Sequence, residues 1–197
     1  FDAFRTKTNE KHDEAEVASS PERDAETPEE QLQSAHKRLN DDLATQLLAQ
    51  IGEMSFEFFE KLVLDLMLGM GYGGSRVDSG ALTNAGADEG IDGIINEDQL
   101  GLDTIYLQAK RWQNTVGRPE IHKFVGALHG RRARKGVFLT TSTFTRDAIE
   151  YAKTIDTKVV LIDGRRLAEL MIKHDVGCGP SQSFIVKKLD SDYFSEE

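Results

Sequence analysis

Three polar side chains near the middle of the chain have types and a spacing that suit chemistry on a phosphodiester. Asp92 lies in the segment GIDGII, and Gln108 and Lys110 lie a hairpin's length further on, in DTIYLQAKRW. Each is in or beside an apolar run that is typical of a β-strand. A carboxylate, a second oxygen ligand and a lysine suit Mg²⁺-dependent attack on phosphorus. Nuclease is therefore the leading interpretation.

Strand geometry predicts that these side chains meet. Residues two apart on a strand share a face, so we expect Gln108 and Lys110 to emerge together on the face opposite the apolar residues of their run. If residues 91–96 pair with residues 104–110 as a hairpin, Asp92 lies close to both. On spacing alone, the same residues also fit an ordinary solvent-exposed strand face.

Each residue has an expected part in a Mg²⁺ site. Mg²⁺ prefers oxygen ligands in octahedral geometry and keeps several waters. We expect Asp92 to be the central ligand, and the Gln108 side-chain oxygen or the Ala109 carbonyl to be another. Glu60 would complete the site directly or through water. Lys110 would position the attacking water or stabilise charge in the transition state.

Glu60 belongs to a helix that we predict from Ser55 to the glycines at 69–74. At about 100° per residue, one face of this helix is apolar and is expected in the core. Its residues are Phe56, Phe59, Leu62, Val63, Leu66 and Met67. Glu60 lies at the border of that face, where a carboxylate can face a cleft, whereas Glu57 points away. The alternative is an ordinary solvated glutamate.

The remaining pattern alternates strands and helices, which predicts an α/β protein with a partly parallel central sheet. A first helix is expected over residues 28–51, with Pro28 at its first position. Further strands are expected near 75–78, 136–141 and 158–162, and further helices from Arg118 and over 145–153 and 164–173. The central domain is expected over residues 27–177, between a polar linker or tail at 1–26 and a polar tail at 178–197.

Composition narrows the class of protein. The 197 residues include a single cysteine, Cys178, which excludes a disulfide framework and a cysteine zinc site and fits a reducing cytosol. No apolar run has the length of a membrane helix, and the first 30 residues contain no secretion signal. We therefore expect a cytoplasmic protein. The five histidines show no metal-binding spacing.

Charge is distributed unevenly along the chain. The net charge is −10, yet residues 108–135 contain eight lysines and arginines and one acidic residue. A local basic strip is what phosphate contact needs, although a solvated helix face is the alternative. The candidate DNA contacts are Arg111, Trp112, Arg118, Lys123 and Thr141. Trp112 either stacks on a base or packs internally, and the hydroxyls at 140–143 are expected to cap a helix rather than bind phosphate.

Several segments together resemble one known family. FFEKLVLDLMLGMGYGG, GADEGIDGII, IYLQAKRW, GRPEIHKFVGAL and KGVFLTTSTFTRDAIEYA are similar, in order and approximate spacing, to the catalytic domain of the Mrr-type restriction endonucleases. The resemblance covers roughly residues 28–177. It implies a restriction-endonuclease-like PD-(D/E)xK core, in which helices flank a mixed central sheet.

The resemblance also implies a function and a set of site residues. It implies Mg²⁺-dependent cleavage of double-stranded DNA, with methylated foreign DNA as the substrate of type IV restriction, and a homo-oligomer, because cutting both strands needs two active sites. Glu60, Asp92, Gln108 and Lys110 match the family's motif positions. Gln108 stands where the wider superfamily has Glu or Asp. Two further departures are Ile91 in place of Pro and Glu89 in place of an expected Gly.

Three alternatives remain open at this point. The chain could be a DNA-binding module with an inactive nuclease site, a repair or junction-resolving nuclease with the same site chemistry, or an oligomerisation unit built on the helix at 28–51. Mg²⁺-dependent cleavage, preference for methylated or branched DNA, and the effect of removing that helix on mass in solution separate them.

Overall fold

A computed structural model describes residues 26–73, 80–82, 90–98 and 100–195 of the chain. Its contacts divide the chain into residues 1–36 and residues 37–197, and the sheet belongs to the second unit. The helices are α1 (Pro28–Glu53), α2 (Phe56–Gly69), α3 (Arg118–Gly130), α4 (Arg146–Thr154) and α5 (Gly164–Lys173). The strands are β1 (Gly80–Leu82), β2 (Gly93–Asn96), β3 (Thr104–Lys110), β4 (Lys135–Thr140) and β5 (Lys158–Ile162).

The first two helices begin where capping residues predict. The Thr27 amide donates to the Glu30 carboxylate at 2.7 Å and the Glu30 amide donates to the Thr27 hydroxyl at 3.3 Å, which is a capping box. The Ser55 hydroxyl accepts from the Phe58 amide at 3.1 Å at the start of α2. The predicted core face of α2 is buried except at Phe56, which is 56% exposed. For Phe56 the prediction is wrong, because its ring packs against the Arg111 guanidinium at 4.5 Å instead of the core.

The five strands form one mixed sheet in the order β1-β2-β3-β4-β5. β1, β2 and β3 pair antiparallel, whereas β3, β4 and β5 pair parallel. The predicted hairpin of β2 and β3 is confirmed, with Gly93 opposite Leu107. The strand expected near 75–78 lies outside the described residues.

Helices cover both faces of the sheet. Buried side chains of α1, α2 and α5 form one core against it, and those of α3 and α4 form the other. The parallel half of a sheet is ordinarily covered in this way. Gln108 is therefore only 4% exposed, which excludes for this residue the alternative of a solvent-exposed strand face. Its partner in register on β4 is Phe138.

The C-terminal end of the described chain contains little regular secondary structure. Residues 178–191 form no helix or strand, and a short 3-10 turn, Asp192–Phe194, follows them. Within the described ranges, no helix has the length and apolar character needed to span a membrane.

One glycine sets the spacing of the loops at the carboxyl edge of the parallel strands. Gly164, the first residue of α5, donates its amide to the Ser142 carbonyl at 2.8 Å. A Cβ added there would lie 2.2 Å from the carbonyl oxygen of Thr141. The loop after β4 and the start of α5 therefore approach to a distance that only glycine allows.

Replacing this glycine tests the close approach. Gly164→Ala should lower the free energy of unfolding by at least about 2 kcal/mol, because backbone must move to admit the methyl group. Gly126→Ala in α3, where nothing lies within 4 Å of the added carbon, is the matched control and should gain about 0.5–1 kcal/mol. Denaturant unfolding measures both, and equal effects of the two substitutions would contradict the close approach.

Candidate active site

Asp92 lies immediately before β2 and is fastened to β3 at three points. Its amide donates to the Leu107 carbonyl at 2.8 Å. Its carboxylate oxygen Oδ2 accepts from the Ala109 amide at 2.7 Å and from Gln108 Nε2 at 2.5 Å. The hairpin therefore brings Asp92 to Gln108 and Ala109, as the strand pairing predicts.

The side-chain amide of Gln108 lies between Asp92 and a glycine. Its nitrogen faces the carboxylate, and its oxygen Oε1 would be 2.9 Å from a Cβ built on Gly90. Gly90 also has a φ of 96°, which L side chains rarely adopt. Gly90 thus provides both the turn into Asp92 and the room for the Gln108 oxygen.

Two carboxylates share the site, and each has a raised pKa. Burial raises the pKa of Asp92, and the Ala109 hydrogen bond, the Lys110 charge and the Gln108 hydrogen bond act in the opposite direction. Burial likewise raises the pKa of Glu60, and the negative charges of Asp92 and Glu57 raise it further. Glu60 is therefore near enough to Asp92 for their charges to interact. A cation placed between them would relieve this penalty.

Lys110 ends β3 at the same edge of the sheet. Its ammonium nitrogen lies 5.2 Å from the centroid of the Trp112 ring, a distance at which the ring attracts a cation. Its charge also stabilises the Asp92 carboxylate. Lys110 and Trp112 are both half-buried, so the lysine is held against protein yet reaches the surface.

Arg111 is held by the protein itself. Its Nη1 donates to the Gly52 carbonyl at 2.5 Å, its guanidinium covers the Phe56 ring, and its buried Nε has no partner within the described ranges. Arg111 therefore fastens the junction of α1 and α2 to the end of β3, which positions the helix that bears Glu60. Its contact with DNA remains a prediction.

The other predicted DNA contacts lie after β3 and on α3. The Arg118 guanidinium lies over the Tyr151 ring at 4.7 Å and pairs with Asp147 at 3.4 Å. Lys123 pairs with Glu120 at 2.7 Å. Both ion pairs are solvent-accessible, and such pairs contribute little stability. The fold therefore depends little on either pair, and Arg118 and Lys123 are available to contact a ligand.

The hydroxyl run at 140–143 does not cap a helix, and that prediction is wrong. Thr145 caps α4, with its hydroxyl accepting from the Ala148 amide at 3.2 Å. The Thr141 hydroxyl instead donates to the Trp112 carbonyl at 2.9 Å. Sequence reasoning missed this arrangement because the partners lie about thirty residues away, on the segment after Lys110; the signal available was a run of hydroxyls ending a buried strand.

The donor set fits a hard divalent cation. No group of three or more His, Cys, Asp or Glu side chains suited to a metal occurs in the described part of the chain. The carboxylates of Asp92 and Glu60 are instead supplemented by neutral oxygens of Gln108 and Ala109. Both hydrogen bonds to the Asp92 carboxylate fall on Oδ2, and its Oδ1 accepts none from the residues described. Oxygen ligands of this kind suit Mg²⁺.

The fold and this edge of the sheet define a restriction-endonuclease-like α/β protein. The catalytic domain model Mrr_cat, described as "Restriction endonuclease", matches residues 51–171. The chain therefore belongs to that family, which confirms the family and fold expected from the sequence motifs.

The chain is also similar to known restriction enzymes, one in sequence and one in structure. The chain is 48% identical over 168 residues to the "Type IV methyl-directed restriction enzyme EcoKMrr" of Escherichia coli K12, covering 85% of this chain and 54% of that protein. It thus spans about half the length of that relative. The "DNA modification-dependent restriction endonuclease AspBHI" aligns with a TM-score of 0.54 and 23% identity, covering 71% of this chain and 36% of AspBHI. This second likeness supports the fold.

The buried carboxylate of Asp92 gives a pH-dependent prediction for the metal-free protein. A raised folded-state pKa means that stability is lost as pH rises through that pKa. Asp92→Asn keeps one oxygen to accept from Ala109 and removes the charge, so it should unfold at higher denaturant than the parent at neutral pH. The gain should vanish at acid pH, where Asp92 is protonated in the parent.

Denaturant unfolding at the two pH values measures this difference. Asp65→Asn, an exposed carboxylate on α2, is the control and should change stability by less than about 0.5 kcal/mol. A loss of stability in Asp92→Asn at neutral pH would show that the carboxylate is structural.

Proposed function

We propose that this protein is a Mg²⁺-dependent endonuclease that cleaves double-stranded DNA carrying modified bases. The single observation that supports it best is the arrangement of Asp92, Ala109 and Lys110 at one sheet edge, in a chain of the restriction endonuclease family. The relative that shares 48% identity is named as methyl-directed, which supports methylated DNA as the substrate.

The proposed metal site uses oxygens of β3, of α2 and of Asp92, the residue before β2. Asp92 Oδ1 and the Ala109 carbonyl would hold Mg²⁺, with Glu60 reaching it directly or through water. Gln108 would add Oε1 if its side-chain amide turned, because its nitrogen faces the carboxylate in the structure. The bound ion would supply a water of lowered pKa and neutralise phosphate charge.

Lys110 has a separate task in this proposal. Its ammonium group would contact a non-bridging phosphate oxygen and stabilise the charge that develops there in the transition state. Trp112 beside it limits the directions that the side chain can take. Packing of this kind keeps a catalytic group oriented before substrate arrives.

DNA would approach along the surface that follows Lys110. Trp112, Arg118, Lys123 and Thr141 are the proposed contacts, with Arg111 behind them. Contacts to phosphate carry affinity but no sequence information, so recognition of a modified base would need other residues.

Cleaving both strands also requires two active sites, and we propose a homo-oligomer on DNA.

A DNA-binding module without nuclease activity is the second candidate. The hydrogen bond between the Gln108 nitrogen and Asp92 favours it, because a neutral amide brings no negative charge to a metal. This candidate predicts DNA binding that weakens steeply with salt and no cleavage with Mg²⁺.

Substitution of the lysine tests the nuclease proposal. Lys110→Ala should reduce Mg²⁺-dependent cleavage of supercoiled plasmid by at least about 100-fold, with DNA affinity little changed. Lys158→Ala is the control, because Lys158 is exposed at the opposite end of the parallel strands. The same assay on methylated and unmethylated plasmids tests whether the enzyme prefers methylated DNA. Cleavage by Lys110→Ala at the parent rate rules the role out.

Substitution of the glutamine tests the metal site without any cleavage assay. Gln108→Glu places a second buried carboxylate against Asp92, so the metal-free protein should lose roughly 3 kcal/mol of stability at neutral pH. Added Mg²⁺ should then raise its melting temperature more than it raises that of the parent, since the site has gained a negative ligand. Gln108→Met removes the amide without adding charge and is the control. Equal Mg²⁺ effects on Gln108→Glu and Gln108→Met would contradict the site.

A further inference from the structure

The main-chain carbonyl of Lys110 accepts an unusual number of hydrogen bonds. The Thr140 hydroxyl donates to it at 2.8 Å, the Trp112 amide at 3.0 Å and the Thr141 amide at 3.3 Å. A carbonyl oxygen has two lone pairs, so three donors leave this group no freedom to turn.

Thr140 is the buried member of this set. Its side chain is 0% exposed at the end of β4, directly opposite Lys110 in the parallel register. Its hydroxyl also accepts from the Ser142 amide at 3.2 Å. Thr140 therefore joins the last residue of β3 to the loop that leaves β4.

Three more hydroxyls continue the same connection beyond the sheet. They join Thr141 to the Trp112 carbonyl at 2.9 Å, Ser142 to the Gln113 carbonyl at 3.1 Å, and Thr143 to the Thr115 hydroxyl at 3.1 Å. Four consecutive side chains thus hold the segment that follows Lys110. Of these four hydroxyls, the one that donates to the Lys110 carbonyl among the described residues is that of Thr140; Thr141 reaches the same carbonyl through its main-chain amide.

We infer that Thr140 is a positioning residue for the active site, acting through the Lys110 carbonyl. It holds the end of β3 so that the Ala109 amide stays on Asp92 and the Lys110 ammonium group stays beside that carboxylate. This inference rests on the proposed nuclease function. A displacement of about 1 Å in a catalytic group costs up to about 100-fold in rate, so loss of this hydroxyl should lower turnover by more than its effect on stability explains.

A second buried threonine provides a matched control. Thr157 is 7% exposed and its hydroxyl is hydrogen-bonded to His129 Nε2 at 2.8 Å. It lies just before β5, at the opposite end of the parallel strands from Lys110. Thr157→Val and Thr140→Val therefore remove the same buried hydroxyl and differ in their distance from the site.

The experiment compares Thr140→Val, Thr140→Ser and Thr157→Val with the parent and with Lys110→Ala. Plasmid cleavage gives kcat and KM, and unfolding gives stability. Trp112, the single tryptophan of the chain, reports the site directly through quenching by acrylamide and through its response to Mg²⁺. Thr140→Val should lose about 10- to 100-fold in kcat with KM unchanged, and Thr140→Ser should recover most of it.

The tryptophan readouts do not depend on turnover. In Thr140→Val, Trp112 should be quenched more readily and Mg²⁺ should bind more weakly than in Thr157→Val at comparable stability. Equal quenching, Mg²⁺ affinity and kcat in these two variants overturn the inference. If instead the parent neither cuts DNA nor responds to Mg²⁺, the proposed function has failed, and this inference fails with it.

Discussion

The hydrogen bond from the Ala109 amide to the Asp92 carboxylate is the constraint on which the candidate site depends. It joins the residue before β2 to the end of β3, just beyond the last residues that pair between these strands. Because the carboxylate is partly buried, such donors help it to remain charged, and burial still raises its pKa. Asp92 is therefore a strong candidate ligand, because a bound cation would stabilise the negative charge that the Ala109 hydrogen bond, the Lys110 charge and the Gln108 hydrogen bond only partly offset.

The helices that pack on both faces of the sheet determine how far each residue of the candidate site is buried. Two helices pack on one face and three on the other, so Gln108 in the middle of the strand end is buried. Cover ends at the carboxyl edge of β3 and β4, where Lys110 and Trp112 reach the surface. The candidate site therefore extends from the buried Gln108 to the half-buried Lys110 at the surface.

Sequence periodicity predicted most elements because it records which face of each element is apolar. It located β3, the hairpin and the start of α1 through Thr27 and Pro28. It did not reveal what covers the opposite face, so it could not give the burial of Gln108. It also misplaced Phe56 and the hydroxyls at 140–143, whose partners are distant in sequence: Arg111 for the ring and the segment after Lys110 for the hydroxyls.

The glutamine of the QxK motif limits the electrostatic repulsion among the carboxylates of the candidate site. Asp92 and Glu60 already interact unfavourably, and a glutamate at 108 would add a third carboxylate at the most buried position of the site. Gln108 instead donates a hydrogen bond to Asp92 and adds no negative charge. A glutamine at this position therefore avoids further repulsion among the carboxylates of the candidate site.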